Sequence, residues 1–501
     1  MSANFINYFK IVAKKNSDKI AIDNGVSSIS FGKLDEYSDQ LSKILFFKLK
    51  IKKNDKLCIT SSKDIFNFIL LFSCLKIGVT VTFLDANSPK IRITKILKQL
   101  KPKLILIDDL LKKKIHSKYR NILFTKKKIA FLSKCLITSR INYPKLDSIA
   151  YIMFTSGSTG EPKGVPISQN KLLNFVKIAK KELKINNKDI FSNLNPLYFD
   201  NSVFDIYVSI LNGCKVVPVE SYELVSPYKL LNKLKNQRVT VWFSVPTLIS
   251  YILKFNIWNK RSVPTLKKIV FGGEVFPKKD LKKIFNKLDN TKFISVYGPT
   301  ECTCICSSYI VTKKDFLKKE INKYLPLGKR MWDSFKYKVI DKKKGINRIG
   351  ELLLGGKNVI KKYLDNKLKN KFIYINKNKS VIFYRTGDLI FIDKYKKIRF
   401  AGRLDNQIKY KGYRIELEEI QSTINNLNEV NNNIVTFGKK NNCQEITCWI
   451  KLKKKIKIHN KVSPLLPKYM MPHKFIYVND FPKNANGKIS KKDLVDNYYD
   501  Q

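Results

Sequence analysis

Between Tyr151 and Gly164 the chain reads YIMFTSGSTGEPKG, where residue type and spacing suit the holding of an anion. Tyr151, Ile152, Met153 and Phe154 form a candidate buried strand. It breaks into Thr155, Ser156, Gly157, Ser158, Thr159 and Gly160 and closes on Lys163 and Gly164. Glycines let backbone amides turn inward around an anion, hydroxyls add donors, and a lysine ammonium supplies a point charge for phosphate oxygens. The glycine spacing does not fit the G-x-x-x-x-G-K-[ST] phosphate loop. By its own residues the run is equally compatible with a flexible Ser/Gly turn. A second residue with chemical consequence is Asp200, set among Tyr198, Phe199, Val203 and Phe204. A carboxylate in such surroundings is costly to bury without a cationic partner, which a substrate ammonium would supply.

Hydrophobic periodicity predicts the elements that must position these residues. Short strands over 20–22 and 29–31 precede a helix carrying Leu34, Leu41, Ile44 and Leu45. Strands over 56–60, 79–84 and 103–107 alternate with helices over 64–77 and 91–100, the first of them ending at Gly78. This alternation predicts βαβ units and a mostly parallel sheet. Beyond the glycine loop come a helix over 169–183, strands over 214–218, 239–243, 268–271 and 293–296, and a helix over 247–253. Two of those strands run into polar glycine turns, Gly272-Gly273-Glu274 and Tyr297-Gly298-Pro299-Thr300-Glu301. In open α/β sheets ligand sites gather at such carboxyl ends. From about Leu325 short strands such as 350–354 and 381–384 predict a β-rich subdomain, and 401–419 links it to a small C-terminal region with a strand over 449–452.

A length of 501 residues predicts two or more domains, and 44% hydrophobic content with 12% aromatics is globular. The formal charge of +57 comes from 97 basic against 40 acidic residues. The lysines are dispersed beside Asn and Ile rather than gathered in a patch or arm. That pattern favours a codon bias falling on solvated positions over a specific nucleic-acid surface. Nine cysteines show no paired framework, and three scattered histidines disfavour a His-based triad or zinc site. Cys302, Cys304 and Cys306 alternate, which on a strand would put all three on one face. The N-terminus lacks a signal-peptide pattern, and the most apolar window, 65–84, is broken by Asn67, Lys76 and Gly78. No membrane span is predicted, and a reducing cytoplasm fits best.

Eight stretches, in order, resemble the adenylate-forming (AMP-binding) superfamily, in particular the amino-acid adenylation domains of nonribosomal peptide synthesis and D-alanine–carrier protein ligases. They are Leu75-Lys76-Ile77-Gly78 with Phe83-Leu84-Asp85; the glycine loop; Phe199-Asp200-Asn201-Ser202; Tyr297 to Glu301; Gly350-Glu351-Leu352 with Gly355-Gly356; Tyr384-Arg385-Thr386-Gly387-Asp388; Gly402-Arg403 through Glu416; and Asn486-Gly487-Lys488.

The resemblance implies an α/β fold: a large N-terminal domain (1–403) of α/β sheet subdomains plus a β-rich subdomain, and a small mobile α+β C-terminal domain (404–501) hinged at Asp405. It implies an AMP-forming ligase in which a carboxylate attacks the α-phosphorus of ATP and a phosphopantetheine thiol then displaces AMP.

In that likeness the glycine loop holds the β- and γ-phosphates, with Thr159 among the catalytic residues, and Glu301 positions Mg²⁺. Tyr297 stacks on adenine, and Gly272, Gly273 and Glu274 pass close to the nucleotide, with Gly298 and Thr300 beside it. Asp388 takes the ribose hydroxyls, Arg403 steadies ribose or phosphate, and Lys488 bridges the substrate carboxylate and the α-phosphate. Asp200 receives an amino-acid ammonium. Asn201, Phe204, Phe243, Val270, Gly272, Val296, Cys304 and Ile305 line a mostly apolar side-chain pocket. D-alanine ligases typically carry a cysteine where this chain has Gly272, so the amino acid stays unnamed. No Gly-Gly-(His/Asp)-Ser attachment site follows Lys488. The thiol is therefore expected in trans, from a small acidic carrier protein or from coenzyme A. The alternative in the same fold is an acyl-CoA synthetase for a carboxylic acid without an amino group.

Overall fold

The structure, a computed structural model, describes residues 4–123, 147–157, 160–317, 324–341, 349–365, 372–374, 382–440, 443–454, 456–482, 489–491, 493, 494 and 496. Runs such as Leu104–Ile107 (LILI) are buried at every position, as strands covered on both faces require. They assemble into two large, mostly parallel sheets. In the eight-stranded sheet the order is Ser307–Ile310, Lys292–Tyr297, Lys268–Gly272, Val241–Ser244, Ile190–Asn193, Lys215–Pro218, Ile20–Asp23, Ser28–Ser30. Its inner pairs are parallel and both outermost pairs antiparallel. In the six-stranded sheet the order is Asn121–Leu123, Leu104–Ile107, Lys56–Thr60, Thr80–Leu84, Ile149–Thr155, Lys163–Ser168. The glycine loop joins the last two of these, which pair antiparallel with Thr155 opposite Lys163. It is therefore the tip of a hairpin, and Lys163 opens its return strand.

Helix Ile65–Lys76 is buried at all of its residues, a pattern that fits a helix enclosed on every side. Phe72 stacks on Phe9 with ring centroids 4.6 Å apart and lies 6.4 Å from Tyr207. The helix ends on Lys76, which is 1% exposed. Its ammonium donates to Asp35 Oδ1 at 2.5 Å and Asp39 Oδ1 at 2.7 Å. The first of the quoted motifs thus carries a structural ion triad. Lys76→Met leaves Asp35 and Asp39 with the part-exposed Lys10 ammonium, 2.8 Å from Asp39 Oδ2, and with partial access to water, so the expected loss is about 2–3 kcal/mol, below the ~3–5 of a fully buried broken pair. Urea unfolding followed by circular dichroism measures it, and a loss under about 0.5 kcal/mol contradicts the triad.

The β-rich part is a five-stranded sheet of Phe335–Asp341, Gly350–Gly356, Ile382–Ile392, Phe372–Tyr374 and Ile398–Arg403. Strand Ile382–Ile392 is longer than the predicted 381–384 and carries both Tyr384 and Asp388. After Arg403 a two-stranded ribbon, Gln407–Tyr410 with Tyr413–Glu416, leads into helix Leu417–Asn425. A three-stranded sheet follows, of Val430–Lys440, Cys443–Leu452 and Lys474–Tyr477. This region has its own core, including Tyr410, Ile415, Ile420, Ile446 and Met470. The architecture is a large α/β N-terminal domain and a smaller C-terminal one. No helix among the described residues is long and apolar enough to cross a membrane.

The alternating cysteines do not run along a strand. Thr300–Cys302 is a single 3-10 turn, Thr303 and Cys304 take left-handed φ values of 60° and 76°, and the strand starts at Ser307. The chain doubles back so tightly over Gly298 that a Cβ there would lie 2.1 Å from the Cys304 carbonyl oxygen. All three thiols are buried, and burial raises each above the ordinary thiol range. Among the described residues no group of three or more His, Cys, Asp or Glu is arranged to hold a metal.

Candidate functional site

The turn at Gly273, the strand end at Tyr297 and the ribbon over 407–416 meet in one cleft, whose centre is a cavity of about 70 Å³, while the glycine hairpin contacts the ribbon through Ser156 and Lys163 outside that lining. Asp200, Asn201, Phe243, Gly273, Val296, Tyr297, Gly298, Thr300, Cys304, Ile305, Asp388 and Arg403 line it, joined by Lys409, Gly412 and Arg414 of the ribbon. A larger cleft of about 380 Å³ opens beside it between Gly273, Glu274, Tyr297 and Asp388 on one side and Phe437 and Gln444 on the other. Three expected pocket residues stand behind the wall. Phe204 packs edge-on against Phe243 at 5.2 Å, Val270 is fully buried mid-sheet, and Gly272 abuts the neighbouring strand, where a Cβ would lie 2.6 Å from Val296 O.

Asp200 is half-buried at the cavity wall, and Thr300 Oγ1 donates to its Oδ2 at 2.6 Å. Burial raises its carboxyl above the ordinary range, and the Thr300 bond offsets part of that rise. No ion pair involving Asp200 is found among the described residues; Lys409 and Arg414, which line the same cavity, act on it at longer range. The site therefore presents a desolvated carboxylate to whatever fills it.

Glu301 is fully buried. Its oxygens accept from Tyr363 Oη at 2.7 Å and from Arg414 Nη1 at 3.2 and 2.9 Å. Burial opposes the charge, but Arg414 and Tyr363 outweigh it and lower the carboxyl to about 2. A buried carboxylate held in its charged form in this way supplies the oxygen ligands that a hard cation shared with substrate oxygens takes.

Tyr297 and Asp388 are coupled directly: Tyr297 Oη donates to Asp388 Oδ2 at 2.5 Å. Arg403 donates to Asp388 Oδ1 at 2.5 Å and to both oxygens of Asp405 at 2.6 and 2.9 Å. Asp405 thus sits one ion pair from Asp388. Glu274 accepts from the amides of Thr247 at 2.7 Å and Gly412 at 3.1 Å, so it anchors the ribbon tip. That tip, Lys411-Gly412, has φ of 50° and 81°, the pair of positive values a two-residue hairpin turn requires.

In the glycine hairpin the Gly157 amide points inward and Lys163 is 6% exposed. Thr155 Oγ1 is buried with no hydrogen-bond partner among the described residues. An inward amide, an enclosed ammonium and an orphaned hydroxyl fit an anion with several acceptor oxygens. Ser156 Oγ instead donates to Arg414 O at 2.7 Å. Ser158, Thr159 and Lys488 lie outside the described residues.

Periodicity did not single out Arg414, Glu416, Glu419 or Tyr363, which touch these groups, or Arg92, which pairs with Glu419. The signal for the first two was present: Arg414-Ile415-Glu416 alternates charge with an apolar residue, so both charges share one face of a strand.

The AMP-binding enzyme family matches residues 9–364. A D-alanine--D-alanyl carrier protein ligase of Listeria monocytogenes serotype 4b (strain F2365) is 29% identical over 513 aligned positions, covering 99% of each chain. Bacitracin synthase 1 of Bacillus licheniformis is 30% identical over 97% of this chain and 9% of its own length. The fold is shared with the Vibrio cholerae adenylation domain AlmE in complex with glycyl-adenosine-5'-phosphate, with a TM-score of 0.82 and 20% identity over 100% of this chain and 98% of that one.

Proposed function

The chain belongs to the AMP-binding enzyme family, and from that membership we propose that it is an AMP-forming ligase that loads an amino acid onto the phosphopantetheine thiol of a separate carrier protein. In the first step an oxygen of the amino-acid carboxylate bonds to the α-phosphorus of ATP, and the bond to pyrophosphate breaks. In the second the thiol sulfur bonds to the carbonyl carbon, and AMP leaves with the electron pair of the broken C–O bond while the thiol proton passes to solvent.

The observation that carries the amino-acid reading is Asp200, a desolvated carboxylate at the cavity wall whose protein partner is the neutral Thr300 hydroxyl. An α-ammonium satisfies it, and a plain fatty acid leaves it unpaired. The larger cleft suits the adenosine, with Tyr297 as the stacking face beside Gly273 and Glu274. Asp388 is the acceptor for ribose hydroxyls, and Arg403 holds it. Thr155, Gly157, Gly160 and Lys163, with Ser158 and Thr159, embrace the phosphates. Glu301 would hold Mg²⁺, which when bound supplies charge neutralisation on the phosphates. Lys488, delivered by a C-terminal domain that begins at residue 404 and turns about Asp405, stabilises charge as the carboxylate attacks. A chain of formal net charge +57 favours an acidic carrier protein over a neutral partner.

Incubation with ATP, a panel of L- and D-amino acids and either a phosphopantetheinylated carrier protein or coenzyme A, read by intact-mass spectrometry, tests the proposal. The expected product is an aminoacyl carrier protein. Acylation of coenzyme A by fatty acids alone would replace this reading with an acyl-CoA synthetase.

A further inference from the structure

The ribbon and the helix after it meet the proposed ATP-handling groups with charges of a definite order. Where Glu301 is buried, the ribbon brings a cation: Arg414 at 2.9 Å. Where Lys163 is buried, it brings an anion: Glu416, its Oε1 3.2 Å from the ammonium. At the Gly157 amide the first turn of helix Leu417–Asn425 brings Glu419, whose Oε2 accepts at 3.1 Å while its Oε1 pairs with buried Arg92 at 2.5 Å.

These positions are built rather than incidental. Arg414 and Glu416 lie two apart on one strand, opposite Lys409 and Gln407 across the ribbon, so one face gathers all four polar side chains. Gln407 Nε2 donates to Glu416 Oε1 at 2.8 Å and steers that carboxylate. The other face, with Tyr410 and Ile415, belongs to the C-terminal core.

We propose that Arg414, Glu416 and Glu419 are positioning residues that form an internal stand-in for Mg²⁺–pyrophosphate, so that the ribbon and the metal–pyrophosphate compete for the same protein groups. The cation takes the place of the metal at Glu301, and the two carboxylates take the place of phosphate oxygens at Lys163 and at Gly157 with Arg92. Without such a substitute, departure of pyrophosphate would leave Glu301 and Lys163 as buried charges without counter-charge, a costly state. With it, docking of the ribbon is favoured once pyrophosphate has gone and opposed while it is bound. This ties the arrangement that receives the thiol to completion of the first step. Arg92 thereby becomes a further member of the phosphate site. The inference rests on the proposed function, because it takes the glycine hairpin and Glu301 as the triphosphate and metal groups.

Isothermal titration calorimetry of the full chain with Mg²⁺–pyrophosphate tests it without relying on turnover. Glu416→Gln, Glu419→Gln and the double variant remove the competing charge with little change of shape. The expected result is tighter Mg²⁺–pyrophosphate binding, by about tenfold in the double variant, as a weakened competitor requires. Glu418→Gln, on the neighbouring carboxylate that accepts from Asn406, binds as the wild type does. The single variants serve if the double variant fails to fold. Affinity unchanged or weaker in all of them, in an enzyme that still exchanges pyrophosphate into ATP, overturns the stand-in while leaving the ligase reading intact. Absence of amino-acid-dependent exchange in the wild type removes the reading beneath it.

Discussion

Lys488→Ala should lower amino-acid-dependent adenylation by roughly 10²–10³-fold, the range observed when one preorganised donor to a developing oxyanion is removed. Affinity for ATP should change far less, because the base, ribose and terminal phosphates have other partners in the proposed site. Lysine is abundant here, with arginine making 97 basic residues, so residue type alone does not mark this one. Its flanks do. Asn486 and Gly487 precede it, and Ile489, directly after it, packs against the cluster of Ile434, Trp449, Phe481 and Leu494. On either side of it, Ser490 N donates to Pro482 O at 2.8 Å. As the carboxylate approaches the α-phosphate two anionic groups converge, and an ammonium between them gains strength as charge builds in the transition state. Pyrophosphate exchange measures the rate, and nucleotide titration measures the affinity. Near-normal exchange in the variant rejects the role.

Asp200→Ala should raise the KM for the amino acid by about 10²-fold, the scale of losing a desolvated charge partner, with a smaller change in kcat. The ammonium neither forms nor breaks a bond in this step and keeps its charge throughout, so its pairing contributes largely alike to the ground and transition states. Asp200→Asn keeps an acceptor for Thr300 and removes the charge, so it should resemble the alanine variant if charge is what matters. A KM unchanged in both variants removes the main ground for an amino-acid substrate.

Much of the scaffold was legible in the chain because both of its signals are local. Apolar runs such as 103–107 and 268–271 mark strands, and the glycine turns after 271 and 296 mark their carboxyl ends. The structure places these strands at Leu104–Ile107, Lys268–Gly272 and Lys292–Tyr297, within a residue of the expected bounds. Asp200, Tyr297 and Arg403 meet in one cavity for the same reason, each lying on a strand end or turn that faces it, and Asp388 joins them from within strand Ile382–Ile392, where it pairs opposite Arg403.

What was not legible depends on contacts between distant segments. Phe204 and Val270 are as apolar as the true lining residues, and only packing shows that Phe243 stands in front of one and a full sheet layer encloses the other. The alternation of Cys302, Cys304 and Cys306 has the period of a strand, but the close approach over Gly298 turns it into a left-handed bend. The charged partners of Glu301 and Lys163 come from more than a hundred residues away, at Arg414 and Glu416. Periodicity places those two on a strand face and says nothing of what that face meets.

The claim on which the rest depends is that Asp200 reads an α-ammonium. ATP–pyrophosphate exchange with matched pairs, each amino acid beside the acid of the same skeleton lacking the amino group, tests it most directly. The prediction is that at least one amino acid, with D-alanine and glycine in the panel, supports exchange, and that its deaminated counterpart does so at least tenfold less well, a difference of about 1.4 kcal/mol. Equal exchange by both members of every active pair, or exchange with fatty acids alone, contradicts it.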